Sequence, residues 1–124
     1  MAKFIDDLWQ SEWDKNRVNK LYPILPEITM KPTVPQKRRD EVVMNRVRIG
    51  HTRLTHKHIL EREELPICTN CRTAKTIHHI LICLVFIRQR DYIEISNQDP
   101  FEVLRTDPQR VMKYLKEIEL YNVI

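Results

Sequence analysis

All three cysteines of this chain fall within sixteen residues, as Cys68-Thr-Asn-Cys71 and Cys83, and His78 and His79 lie between them. Cysteines serving only as small apolar core residues would be free to scatter. A tetrahedral zinc ion instead takes two soft ligands from one tight turn and two more from a nearby helix. The cluster therefore constrains the fold before any other feature does, because a turn at 68–71 must close onto whatever carries residues 78–83. A helix opening at Thr76 and running to Arg90 places His79 and Cys83 four apart on one face, able to hold the same ion. His78 is five residues from Cys83 and points about 100° away from His79. The preferred ligands are accordingly Cys68, Cys71, His79 and Cys83 around one structural zinc ion, with His78 as the alternative fourth ligand. Competing readings are buried apolar cysteines, a redox CxxC, which normally opens a helix after a strand, and a degenerate site that no longer holds metal.

The rest of the chain reads as helical. One glycine and seven prolines in 124 residues argue against an all-β sandwich, which needs many tight turns with positive φ. The expected class is all-α, a small helical domain with one structural zinc knuckle. Ile5, Trp9 and Trp13 recur every four residues with Phe4 and Leu8 beside them, predicting an amphipathic helix within residues 1–20 whose apolar stripe is core. Residues 21–36 carry Pro23, Pro26, Pro32 and Pro35 and read as a linker or wrapping segment, held against the rest by Ile24, Leu25, Ile28 and Val34. Residues 37–124 form the helical zinc-binding domain. There Val43, Met44 and Val47 mark a helix that Gly50 would end in a left-handed cap. Thr52 or Thr55 would cap a short helix through His58, Ile59 and Leu60. Asp99-Pro100 and Asp107-Pro108 each set a capping carboxylate before a proline at the first helical position. In the final helix Val111, Met112, Leu115 and Ile118 form the buried stripe.

Charge and motif content narrow the function. Net charge is +4, and Lys37 to Lys75 holds ten Lys or Arg against five Asp or Glu. A local basic surface can neutralise phosphates of RNA or DNA, and Arg46, Arg48, Arg53 and Lys57 are the candidate contacts, since guanidinium groups grip phosphate bidentately. A merely solvated helix face is the alternative. Serine occurs only at Ser11 and Ser96, neither in a nucleophile elbow, and one glycine permits no glycine-rich phosphate loop. No catalytic residue is assigned. No apolar run approaches a membrane span, the amino terminus lacks an apolar signal core, and a metal-like thiol array suits a reducing compartment. An intracellular address, nuclear or cytoplasmic, is expected, with no small-molecule substrate.

Several stretches, in order, resemble the carboxy-terminal region of polyproteins from jockey-like non-long-terminal-repeat retrotransposons, the part that follows the reverse transcriptase and ribonuclease H domains. They are Asp7-Leu-Trp-Gln-Ser-Glu-Trp13-Asp, Arg39-Asp-Glu-Val-Val, Arg46-Val-Arg-Ile-Gly-His-Thr-Arg-Leu-Thr-His56, the Cys68 to Leu81 knuckle, and Asp107-Pro-Gln-Arg-Val-Met-Lys-Tyr-Leu-Lys-Glu-Ile118. The resemblance implies that residues 1–20 correspond to the end of the ribonuclease H region. It also implies a non-catalytic, zinc-stapled tail of a reverse transcriptase that binds nucleic acid weakly. A structural or interaction module docking on the ribonuclease H or polymerase domain, or a remnant of an element, are the other implied roles. Glu119 stands where the family has glycine after its last helix, so an altered left-handed cap is expected there.

Overall fold

The computed structural model describes residues 2–52, 55, 61, 64 and 66–124. Among the described residues the architecture is mostly helical, with one minimal hairpin. Helix α1 spans Ala2–Asp14 and α2 spans Arg38–Ile49. Strands β1 (Ile67–Cys68) and β2 (Thr73–Ala74) pair antiparallel, Ile67 facing Ala74 and Cys68 facing Thr73. They lead into α3 (Ile77–Ile82), a 3₁₀ turn at Leu84–Phe86, α4 (Ile87–Ile93), α5 (Pro100–Thr106) and α6 (Pro108–Glu117). No described helix is long and apolar enough to cross a membrane.

Helix α6 is the hub, packed against α2, α4 and α5, while α5 also meets α2 and α3. Its expected stripe is buried: Val111, Met112, Leu115 and Ile118 join Val43, Met44 and Val47 of α2 in one core. The caps form as the sequence requires. The carboxylates of Asp99 and Asp107 accept from the backbone N–H groups of Phe101 and Arg110, with proline opening each helix. Gly50 closes α2 at φ 75°, its N–H returning to the carbonyls of Arg46 and Val47. Thr52 Oγ1 accepts from the N–H of Thr55 and Thr55 Oγ1 from that of Thr52, both at 3.1 Å; the helix expected through His58 lies outside the described residues.

Three expectations need correction. First, of its apolar stripe α1 half-buries only Trp13. The edge that faces the chain is Trp13 and its polar neighbours: Gln10 bonds the carbonyl of Pro26 and the N–H of Ile28, Trp13 Nε1 donates to Leu25 O, and Tyr22 donates to Asp14. These fixed polar bonds turn Phe4, Ile5, Leu8 and Trp9 outward, Trp9 being 64% exposed.

Second, the proline-rich segment wraps against the core as a strap, as one of its two readings had it, but not through all four of its apolar residues. Ile24 is buried in the core, the N–H of Thr33 donates to Arg105 O, and Arg105 donates back to Ile24 O. Val34 and Ile28, expected inside, are exposed.

Third, the helix from Thr76 stops at Ile82. Cys83 takes an extended conformation at φ −59°, ψ 131°, and helical geometry resumes only beyond it. The stop leaves the carbonyl of Ile80 without a helical partner, and the hydroxyl of Tyr114 on α6 donates to it.

Candidate metal centre

The hairpin presents two thiols and the broken helix presents the other ligands. Between β1 and β2 the chain turns within Thr69–Arg72, the N–H of Arg72 returning to Cys68 O at 2.7 Å. Arg72 reaches this position only in the left-handed region, φ 57°, a conformation that favours glycine. At the other side Thr76 caps α3, its hydroxyl accepting from the N–H of His79. Ile77, Ile80 and Leu81 face the core and so fix the rotation of α3.

Four ligand atoms converge: the sulfurs of Cys68, Cys71 and Cys83 and a nitrogen of His79 all lie within 4.8 Å of one another. Cys83 Sγ is 3.8 Å from Cys68 Sγ and 3.8 Å from Cys71 Sγ. Zinc–sulfur bonds of about 2.3 Å at tetrahedral angles put sulfurs about 3.8 Å apart, whereas a disulfide needs about 2.05 Å. The spacing fits sulfurs around a common ion, and all three cysteines are free. Cys68 and Cys83 are buried, and Cys71 and His79 are half-buried.

His79 supplies the observation that most favours a metal. Its Nδ1 lies 3.2 Å from Thr73 Oγ1 on β2, while its Nε2 is buried with no hydrogen-bond partner. A buried polar atom without a partner carries a desolvation cost. With Nδ1 protonated and donating to Thr73, Nε2 has a lone pair to offer a cation, the arrangement by which outer groups orient ligating histidines. His78 turns elsewhere: it is exposed and stacks on Phe101, ring centroids 5.2 Å apart. The pairing of His79 with Cys83 therefore holds, but not by a shared helical face. The extended Cys83 swings its sulfur to the hairpin after α3 has ended.

Electrostatics suit a cation. The backbone N–H of Cys71 holds the Cys68 thiol down to about 6, against the opposing effect of burial. The Cys83 thiol is pushed up, chiefly by burial. A divalent ion bound here would replace the protons of both thiols.

The expected phosphate contacts are not brought together. Arg48 is 5% exposed: Nε donates to Leu104 O at 2.6 Å and Nη2 to Thr33 O at 2.7 Å. Its place in the candidate set is corrected to a structural one, because a guanidinium committed to carbonyls in the core cannot reach a phosphate. Arg46 is half-buried and donates to Ile124 O; Arg53 and Lys57 lie outside the described residues. Sequence reasoning did not single out Thr73, whose part depends on β2 facing α3, nor the buried pair Arg90 and Tyr114. A threonine between the CxxC turn and the histidines was the available signal. No family model, curated protein or solved structure matches this chain.

Proposed function

We propose that this chain is a non-catalytic, zinc-stapled helical module, whose ion ties the hairpin to α3 and so to the core. The observation that carries this reading is the unpartnered Nε2 of His79 beside three thiols, with Cys83 Sγ 3.8 Å from each of the other two sulfurs and all ligand atoms within 4.8 Å of one another. The family resemblance supports placing such a module in the carboxy-terminal region of a retrotransposon reverse transcriptase polyprotein, as a structural or interaction element. The test is elemental analysis of the purified chain together with melting in the presence and absence of a chelator. One zinc per chain and a lower, less cooperative melt after chelation are expected, since binding energy at such a site is folding energy. A metal-free chain that melts identically in both conditions rejects the reading.

Weak binding of RNA or DNA through phosphates is the second reading. It is favoured by the exposed run Lys37, Arg38 and Arg39 at the start of α2, on the same helix as Arg46. Affinity for oligonucleotides should then fall steeply with salt. Undetectable binding at low salt by the folded, zinc-loaded chain rejects it.

A further inference from the structure

The three thiols of the metal centre differ in their access to solvent and in what holds them. Cys68 and Cys83 are buried, whereas Cys71 is half-buried. The Cys71 sulfur lies at the rim, where Nδ2 of the exposed Asn70 donates to it at 3.8 Å. Cys83 Sγ stands 3.8 Å away, although twelve positions separate the two residues in sequence. Oxidation of a thiol needs access for the oxidant and a second thiol near enough to resolve the product. The pair Cys71 and Cys83 meets both conditions. The pair Cys68 and Cys83 is as close but offers no sulfur to solvent. Cys68 is also the less movable partner: it belongs to β1, and its carbonyl accepts from the N–H of Arg72 at 2.7 Å. Cys83 instead lies in the break between α3 and the 3₁₀ turn, outside both helical elements. A disulfide needs its sulfurs about 2.05 Å apart, so the approach required of Cys71 and Cys83 is under about 2 Å.

We infer that the metal centre is also a site of reversible oxidation, at which a small hydroperoxide joins Cys71 to Cys83 and expels the zinc ion. The expulsion rests on the zinc reading; the disulfide does not. Cys71 Sγ attacks one oxygen of the peroxide, so that an S–O bond forms, the O–O bond breaks, and the departing hydroxide takes up a proton as water. Cys83 Sγ then attacks Cys71 Sγ. The S–S bond forms, the S–O bond breaks, and the oxygen leaves with a second proton as a second water. Two electrons pass from the two thiolates to the peroxide.

The bridge leaves Cys68 and His79 as the remaining donors, half of the four that a closed zinc site takes, and the ion departs. It also joins the two parts of the chain that the ion joined, the turn of the hairpin and the segment that follows α3. A covalent link closing a loop limits the unfolded chain, so the oxidised form keeps the tie that chelation removes. A thiol reductant reopens the bridge by exchange and restores the ligands.

The experiment starts from the full chain loaded with zinc, its zinc content measured, and adds hydrogen peroxide. Loss of two thiols and release of one zinc per chain are expected together, with zinc uptake regained after dithiothreitol. Trypsin cuts after Arg72 and Lys75, so the CxxC peptide and the Cys83 peptide stay joined only through a bridge. Fragmentation after alkylation should then show Cys71 bridged and Cys68 alkylated. The oxidised, zinc-free chain should melt above the reduced chain treated with chelator. Zinc retained under peroxide, a bridge to Cys68, or Cys71 carried to sulfinic acid without a bridge overturns the inference and leaves the zinc reading standing. An oxidised chain that melts no higher than the chelated one also overturns it, because the bridge then does not replace the ion. A chain that takes up no zinc but joins Cys71 to Cys83 under peroxide sinks the zinc reading and keeps the oxidation site.

Discussion

Arg48 shows how burial converts a charged side chain from a candidate ligand into a structural tie. Its guanidinium joins α2 to the carbonyls of Thr33 and Leu104, and burial lowers its pKa from the ordinary arginine value. Replacing it by glutamine removes charge-assisted bonds and leaves buried carbonyls without donors, at a cost of about 2 to 4 kcal/mol. Arg46→Gln, at a half-exposed position, should cost well under about 1 kcal/mol. Denaturant midpoints of the two variants check the contrast; equal shifts would mean that Arg48 is not locked in place. Tyr114 is wholly buried, accepting from Arg90 and donating to Ile80 O. Tyr114→Phe should therefore cost about 1 to 3 kcal/mol although it removes a single oxygen. At the metal centre the residue scale separates neighbours. His79→Ala should weaken zinc binding strongly, His78→Ala hardly at all, and Thr73→Val by about 10- to 100-fold, through the lost orienting bond to Nδ1. Competition with a chromophoric chelator measures all three, and a Thr73→Val affinity equal to wild type would remove Thr73 from the site.

At the scale of elements, helix ends carry the informative strain. Glu119 occupies the left-handed region at φ 61°, with the N–H of Leu120 reaching Leu115 O at 2.8 Å and that of Glu119 reaching Lys116 O at 3.1 Å. The expectation of an altered cap after α6 is thus corrected: the backbone keeps the glycine-type cap, and glutamate tolerates it. Those bonds and the packing of α6 over-determine the turn. Glu119→Gly should relieve the steric cost and stabilise the chain by about 1 kcal/mol, less the extra entropy that glycine gives the unfolded state. A thermal melt decides it; a lower midpoint would show that glutamate makes a contact worth more than the strain. Gly50 is the converse case. At φ 75° a Cβ there would meet Lys20 Cδ at 2.7 Å, so Gly50→Ala combines backbone strain with displacement of the Lys20 side chain and should destabilise.

At the scale of the whole molecule, the hairpin is too short to hold its shape alone, and on the proposed zinc reading the four ligand atoms close it on α3. This couples stability to pH. The Cys68 thiol is depressed in the folded chain from 9.0 to about 6, so the stability it contributes is fully present above the unfolded value and is lost as pH falls through about 6. Zinc must also displace the proton of Cys83, whose thiol is pushed up by burial, so zinc affinity should already decline as pH falls through neutral and decline more steeply below about 6, where Cys68 protonates as well. Zinc release followed by a fluorescent indicator across a pH series, alongside circular dichroism, measures both effects. Retention of zinc at pH 4 with unchanged melting would contradict the coupling.

The sequence by itself determined what depends on local chemistry. Proline after aspartate opened α5 and α6, glycine closed α2, and the period of Val111 to Ile118 chose the buried side of α6, because capping and periodicity are settled within a turn or two of chain. The three cysteines named their own cluster for the same reason: ligand spacing is local. Tertiary structure decided which way α1 faces, since Gln10 and Trp13 found partners in the strap that no period within the helix encodes. It placed Arg48 inside, because carbonyls from residues far apart in sequence came to surround it. It also broke the helix at Cys83, where bringing a third sulfur to the hairpin and seating Ile87–Ile93 against α6 are both incompatible with a continuous helix.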